Sequence, residues 1–202
     1  MPLHNIIPHN SFTIGIWQIA EDITFFSPHF SNPAIHHEKK RLQWYATRHL
    51  ANLIMKKEVE IMNDENGKPY LTESNVQISI SHTTQYAAVM ISATHRVGID
   101  LEEIHPKVQR VAHKFLREDE INAIQAHELT EKLIVYWSAK EALYKLHGRK
   151  QLTFKEQLLI DAFVLQNAGM LKAEVVAEDA HWQGLEVHYS TLGNHILTHV
   201  IV

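Results

Sequence analysis

Asp100 and Glu102 stand two residues apart in the run Arg96 to Glu102 (RVGIDLE), whose alternation reads as a strand, so both carboxylates leave the same face. Glu103 points the other way. Trp137, Glu141 and Lys145 recur at four-residue spacing on a predicted helix and form one stripe, with a carboxylate between a bulky aromatic and a lysine. Two acids alone fit a solvated strand face, and Glu141 with Lys145 fits an ordinary surface pair. Three converging carboxylates suit a hard cation, Mg²⁺ or Mn²⁺, which keeps waters and takes its remaining ligands from substrate phosphates. Phosphate-binding donors occur elsewhere: Lys68 after the turn residue Gly67, Ser81 and His82 at the end of an alternating strand, and Arg41 and Arg48 on a predicted helix. Singly, each also fits a surface residue with no ligand.

The elements that must position these groups follow from hydrophobic period. Ser11 to Ile19 reads as a strand, followed by a polar, proline-punctuated stretch from Pro28. Leu42, Tyr45, Ala46, Leu50 and Leu53 predict a helix from Glu38 to Met55, with Lys39, Lys40, Arg41 and Arg48 outside. Glu60 to Met62, a turn at Asn63 to Lys68, a strand at Val76 to Ser81 and a hairpin return at Tyr86 to Ser92 come next. The order then restarts with RVGIDLE and a helix from Thr130, read as its N-cap, to Leu146, with Gly148 just beyond. Four more strands are expected: Leu158 to Val164, Leu171 to Ala177, Gly184 to Tyr189 and His195 to Val202. Ile14-Gly15-Ile16 matches Val97-Gly98-Ile99, and Trp44 to Leu50 matches Trp137 to Leu143, as a duplication requires; coincidence between amphipathic helices explains the same matches.

Composition narrows the chemistry. The absence of cysteine excludes disulfide frameworks, zinc ribbons, iron–sulfur clusters and thiol catalysis. A net charge of -4 disfavours a global grip on nucleic acid, and the 16 histidines show no zinc-ligand spacing. No apolar run is long enough to span a membrane, and Met1 to Asn10 lacks the signature of a secretion signal, so a cytoplasmic protein is expected. A Walker-A loop, the commonest mark of a rival nucleotide enzyme, is missing.

Taken in order, Gly67-Lys68-Pro69-Tyr70-Leu71 with Ile78 to His82, Val97-Gly98-Ile99-Asp100-Leu101-Glu102, and Trp137-Ser138-Ala139-Lys140-Glu141-Ala142-Leu143-Tyr144-Lys145 resemble the motifs of the 4'-phosphopantetheinyl transferase superfamily, in its pseudodimeric Sfp-type branch. The resemblance implies an α+β fold of two similar halves packed as a pseudodimer, residues 1–98 and 99–202, with the active site in the cleft between them and a monomer sufficient. It implies an enzyme of the holo-acyl-carrier-protein synthase type, moving the 4'-phosphopantetheine arm of coenzyme A to a serine of an apo acyl or peptidyl carrier protein and releasing adenosine 3',5'-bisphosphate. Asp100, Glu102 and Glu141 would hold the metal against the pyrophosphate, Lys145 would pair with a pyrophosphate oxygen, and Lys140 would flank it. Arg41, Lys68, Ser81 and His82 would recognise the 3'-phosphate and adenine end of coenzyme A; Lys39, Lys40 and Arg48 compete with Arg41 for the 3'-phosphate. The stretch Lys114 to Ile121 resembles the family's F-x-x-x-E segment, which makes Glu120 the implied general base, with Glu118 or a metal-bound water as alternatives. A catalytically silent carrier-binding module and another Mg²⁺-dependent pyrophosphate enzyme are the competing readings. Carrier identity is not legible.

Overall fold

The structure, a computed structural model, describes residues 4–27, 29–30, 33–149 and 151–202; Met1 to Leu3 of the segment read for a leader, and Pro28, lie outside the described residues. The chain divides into two compact units, Met1–Arg96 and Val97–Val202, the division falling just ahead of the strand Val97–Glu103. Both units mix α and β structure.

The N-terminal unit runs β1 (His4–Pro8), β2 (Thr13–Gln18), α1 (Ile23–Phe26), α2 (Glu38–Met55), β3 (Ile61–Asn63), β4 (Pro69–Leu71), β5 (Gln77–His82) and β6 (Tyr86–Ser92). Four strands form an antiparallel sheet in the order β1-β2-β6-β5, while β3 and β4 make a separate two-stranded ribbon. The α2 stripe of Tyr45, Ala46, Leu50 and Ala51 is fully buried with Trp17, Ile78, Ala87 and Val89 of the sheet, as its period demands.

The C-terminal unit runs β7 (Val97–Glu103), a 3-10 turn, α3 (Ala112–Phe115), α4 (Glu118–Asn122), a second 3-10 turn, α5 (Leu129–His147), α6 (Phe154–Gln157), β8 (Leu158–Ile160), β9 (Ala168–Val176), β10 (His181–Leu192) and β11 (His195–Ile201). Its antiparallel sheet has the order β7-β11-β10-β9-β8. The long helix α5 contributes Leu133, Val135, Tyr136, Ala139, Ala142, Leu143 and Leu146 to the core against one face of that sheet.

The repeat in the sequence has a structural counterpart. In each unit the first matched strand pairs with the last strand of a hairpin, β2-β6-β5 in one and β7-β11-β10 in the other, and a long helix packs across. The matched glycines sit beneath those helices. A Cβ on Gly15 would meet Leu50 Cδ1 at 2.7 Å, and one on Gly98 would collide with the Ala142 carbonyl oxygen and lie 2.9 Å from the Leu146 nitrogen. Gly98 therefore lets backbone approach backbone, and this brings α5 down onto β7.

Two expectations change. Thr130 does not cap α5, because Glu128 occupies that position and the Thr130 hydroxyl accepts from Gln109 Nε2 at 2.7 Å. Gly148 ends the helix in the left-handed region (φ 78°), as expected. The strand expected through Val164 ends at Ile160, and Val164 is 77% exposed.

Candidate functional site

Strand β7 presents Gly98, Asp100 and Glu102 toward α5, and the close approach at Gly98 places the Trp137–Glu141–Lys145 stripe opposite them. Contacts match the spacing rung by rung. Trp137 Nε1 donates to Glu102 Oε1 at 2.9 Å, and Lys145 Nζ donates to Asp100 Oδ1 at 2.6 Å. Glu141 lies on the helix between these two anchors and feels Asp100, Lys145 and Glu102 electrostatically. Asp100 is 2% exposed, whereas Glu102 and Glu141 are half-buried.

Burial and crowding dominate the electrostatics. Desolvation first, and the nearby Asp100 charge second, push the Glu102 carboxyl up to about 7 against the opposing Trp137 hydrogen bond. The same two causes push Glu141 up to about 7, with Lys145 opposing. One lysine thus compensates three crowded carboxylates incompletely. Among the described residues no three His, Asp or Glu side chains stand close enough to hold a metal ion as placed. The donor chemistry nevertheless fits a hard divalent cation: an all-oxygen set, accessible through Glu102 and Glu141, whose mutual repulsion a 2+ charge would relieve.

Glu120 and Lys140 pair with each other, apart from the carboxylates of β7. Lys140, one helical step from Glu141, points into the core, fully buried, with Nζ donating to Glu120 Oε2 (2.8 Å), Phe115 O (2.8 Å) and Phe154 O (3.2 Å). Glu120 is 2% exposed and also accepts from the backbone nitrogens of Arg117 (2.8 Å) and Ile160 (3.2 Å). Every lone pair used this way ties α4, α5 and β8 together. As placed, both groups are shut away from solvent and spend their hydrogen bonds on each other and on backbone, the arrangement of a buried ion pair. Glu118, which opens α4, is exposed.

The basic residues of the N-terminal unit separate into two places. Arg48 lies with its guanidinium over the Trp44 ring, 4.1 Å from the centroid, and lines a cavity of about 550 Å³ with Phe30, Lys57, Ile61 and Leu71; neither Arg41, Lys68, Ser81 nor His82 lines it. Arg41 is half-buried with an Nε that finds no hydrogen-bond partner, an arrangement that an anion would complete. His82 is exposed at the end of β5, Ser81 is buried beside it, and the following residue is tied to α2 by Gln43 Nε2 donating to Thr83 O at 2.9 Å. Lys68 is half-buried after the β3–β4 turn; burial first, and the Arg96 charge second, lower its pKa, opposed by Asp64. Sequence reasoning missed Arg96. Its signal was position, immediately ahead of Val97 in the motif strand.

The comparisons with known proteins fall on the same residues. A family model for the 4'-phosphopantetheinyl transferase superfamily matches residues 96–198, which contain β7 and α5. The chain is 27% identical over 115 residues to the 4'-phosphopantetheinyl transferase AcpT of Escherichia coli (54% of this chain, 59% of that protein). It is 31% identical over 100 residues to the 4'-phosphopantetheinyl transferase HetI of Nostoc sp. (45% of this chain, 42% of that protein). With the 4'-phosphopantetheinyl transferase gsp of Aneurinibacillus migulanus it shares 29% over 89 residues (43% and 37%), so the matches span about half the length of these relatives or less. Because the family model covers half of the chain and contains the carboxylate site, this chain belongs to the 4'-phosphopantetheinyl transferase superfamily.

Proposed function

We propose that the protein transfers the 4'-phosphopantetheine group of coenzyme A to a serine hydroxyl of an apo carrier protein, with Mg²⁺ as the working metal and Mn²⁺ as a substitute. The observation that carries this is the crowded carboxylate set Asp100, Glu102 and Glu141 with Lys145 at one edge. A divalent cation held there would neutralise charge on the pyrophosphate and polarise its phosphorus. The serine oxygen forms a bond to the phosphorus on the pantetheine side, the bond from that phosphorus to the bridging oxygen breaks, and adenosine 3',5'-bisphosphate leaves with the bonding pair. Lys145 would meet the departing charge; that its ammonium already serves the same anionic cluster supports the role. Glu118, being exposed, is the carboxylate able to take the serine proton.

Residues of the N-terminal unit recognise the remote end of coenzyme A. Arg41, with its unsatisfied Nε, takes the 3'-phosphate, joined by Lys68 and His82. Binding energy gathered so far from the reacting bond positions the pyrophosphate. Among the described residues no helix is long and apolar enough to cross a membrane.

Intact-mass spectrometry of a panel of apo carrier proteins incubated with this protein, coenzyme A and Mg²⁺ tests the reading. A gain of one phosphopantetheine group on at least one carrier, stopped by a chelator, is expected. No gain on any carrier alongside retained coenzyme A binding would favour a silent carrier-binding module. Phosphate or nucleotide released from coenzyme A without a carrier would favour a pyrophosphate hydrolase.

A further inference from the structure

The sheet of the C-terminal unit packs one face on α5 and leaves the other with a row of side chains that the transfer reaction does not use. In β10, Val187 and Tyr189 are buried while His188 between them is exposed. Its register partner on β11 is His199, and its register partner on β9 is Met170. His199 is half-buried between the fully buried Thr198 and Val200, and Met170 is 43% exposed beside buried Leu171. All three therefore leave the same face, opposite α5, in one line across three adjacent strands. The imidazoles of His188 and His199 are already in contact, with centroids 5.2 Å apart and planes within 16° of parallel.

We infer that His188, His199 and Met170 form a site for a soft transition-metal ion, Cu(I) above all. Direct cross-strand neighbours have Cβ atoms about 4.5–5.5 Å apart, within the reach of two imidazoles and a thioether closing on one ion. Imidazole and thioether together select copper in its lower oxidation state, and neither donor suits Mg²⁺, so this site and the carboxylate set take different metals. The Met170 side chain has three rotatable bonds and a polarisable sulfur, which lets it turn toward the imidazoles without moving β9. Exposure of His188 supplies the entry path, and a turn of the His188 ring about its side-chain torsions brings its nitrogen toward the His199 imidazole.

The test uses the full chain without a histidine tag, titrated anaerobically with Cu(I) held as its bicinchoninate complex, so that loss of colour reports transfer to the protein. One equivalent is expected to move to the wild type. His188→Ala should weaken retention by about a hundredfold or more, beyond what loss of an outer-shell partner costs, and Met170→Leu by about tenfold. His36→Ala should match the wild type. In a parallel Zn²⁺ titration only His188→Ala should weaken binding, because zinc gains little from a thioether. Both replaced side chains are exposed, and thermal unfolding of the metal-free variants checks that the sheet persists. Three results would each overturn the inference: no transfer to the wild type, equal transfer to His188→Ala, or equal Cu(I) retention by Met170→Leu.

Discussion

Removing one negative charge from the carboxylate cluster should make the metal-free protein more stable at alkaline pH. The Glu141 and Glu102 carboxyls titrate at about 7 in the fold against about 4.5 when unfolded. Each proton is therefore held about 3 kcal/mol more tightly in the native state. The two groups repel each other, so their joint contribution lies between about 3 and 7 kcal/mol. The sign follows from linkage: with folded pKa values raised, the stabilisation is present below pH 4.5 and is lost as pH rises through about 7. Glu141→Gln, which keeps the shape of the protonated acid, should match the wild type near pH 5 and exceed it by about 3 kcal/mol at pH 8 without metal. For a chain of this size that is a Tm gain of roughly 6–12 °C. Mg²⁺ closes most of that gap, because it binds the ionised wild-type cluster and stabilises it by about 2.7 kcal/mol at a hundred times its Kd, and gives the Gln variant much less. Differential scanning calorimetry of both proteins at pH 5 and 8, with chelator and with saturating Mg²⁺, reads all of this, and taking differences cancels the shared titration of the histidines. Equal Tm values for the two metal-free proteins at pH 8, or a less stable variant, would refute the account of a charge cluster waiting for a cation.

Gly98→Ala should destabilise the C-terminal unit by several kcal/mol, since the new methyl meets backbone of α5, whereas Gly15→Ala meets the movable Leu50 side chain and should cost less; chemical denaturation compares them. Glu120→Gln and Lys140→Met should each cost about 3–5 kcal/mol by stranding a buried charge, with much of it recovered in the double variant Glu120→Leu/Lys140→Met. If that double variant folds and still transfers, Glu120 is not the base; a folded but inactive protein would restore it. Arg41→Ala should raise the KM for coenzyme A by at least tenfold with little change for 3'-dephospho-coenzyme A, and equal effects on both would place the 3'-phosphate elsewhere.

Where side chains repeat at a period dictated by local geometry, the sequence was enough. The α2 stripe sets Glu38–Met55, and the alternation of Gln77 to His82 and Tyr86 to Ser92 sets the hairpin, because both reflect which face is buried. Asp100, Glu102, Glu141 and Lys145 were legible for the same reason: a period of two on a strand facing a period of four on a helix. Long-range partners were not. Lys140 sits in the motif beside Glu141, but one helical step turns it into the core, where Glu120, Phe115 and Phe154 receive it. Nothing local to residue 140 reports those partners. Short elements also escaped, among them β1, whose five residues end in Pro8, and β4, whose three begin at Pro69. Thr130 has the residue type of a cap, yet Gln109, 21 positions away, claims its hydroxyl, a tertiary contact overriding a local preference.

The most direct test of the central claim, that Asp100, Glu102 and Glu141 form the metal-dependent transfer centre, is the single-turnover rate of carrier modification by Glu141→Ala against wild type, with coenzyme A binding measured on both. The account predicts a folded variant that binds coenzyme A within a few-fold of wild type and transfers slower by at least about a thousandfold at saturating Mg²⁺, the scale of losing a charge-stabilising group in a transition state. Transfer by Glu141→Ala at near the wild-type rate, with the same dependence on Mg²⁺, would contradict it.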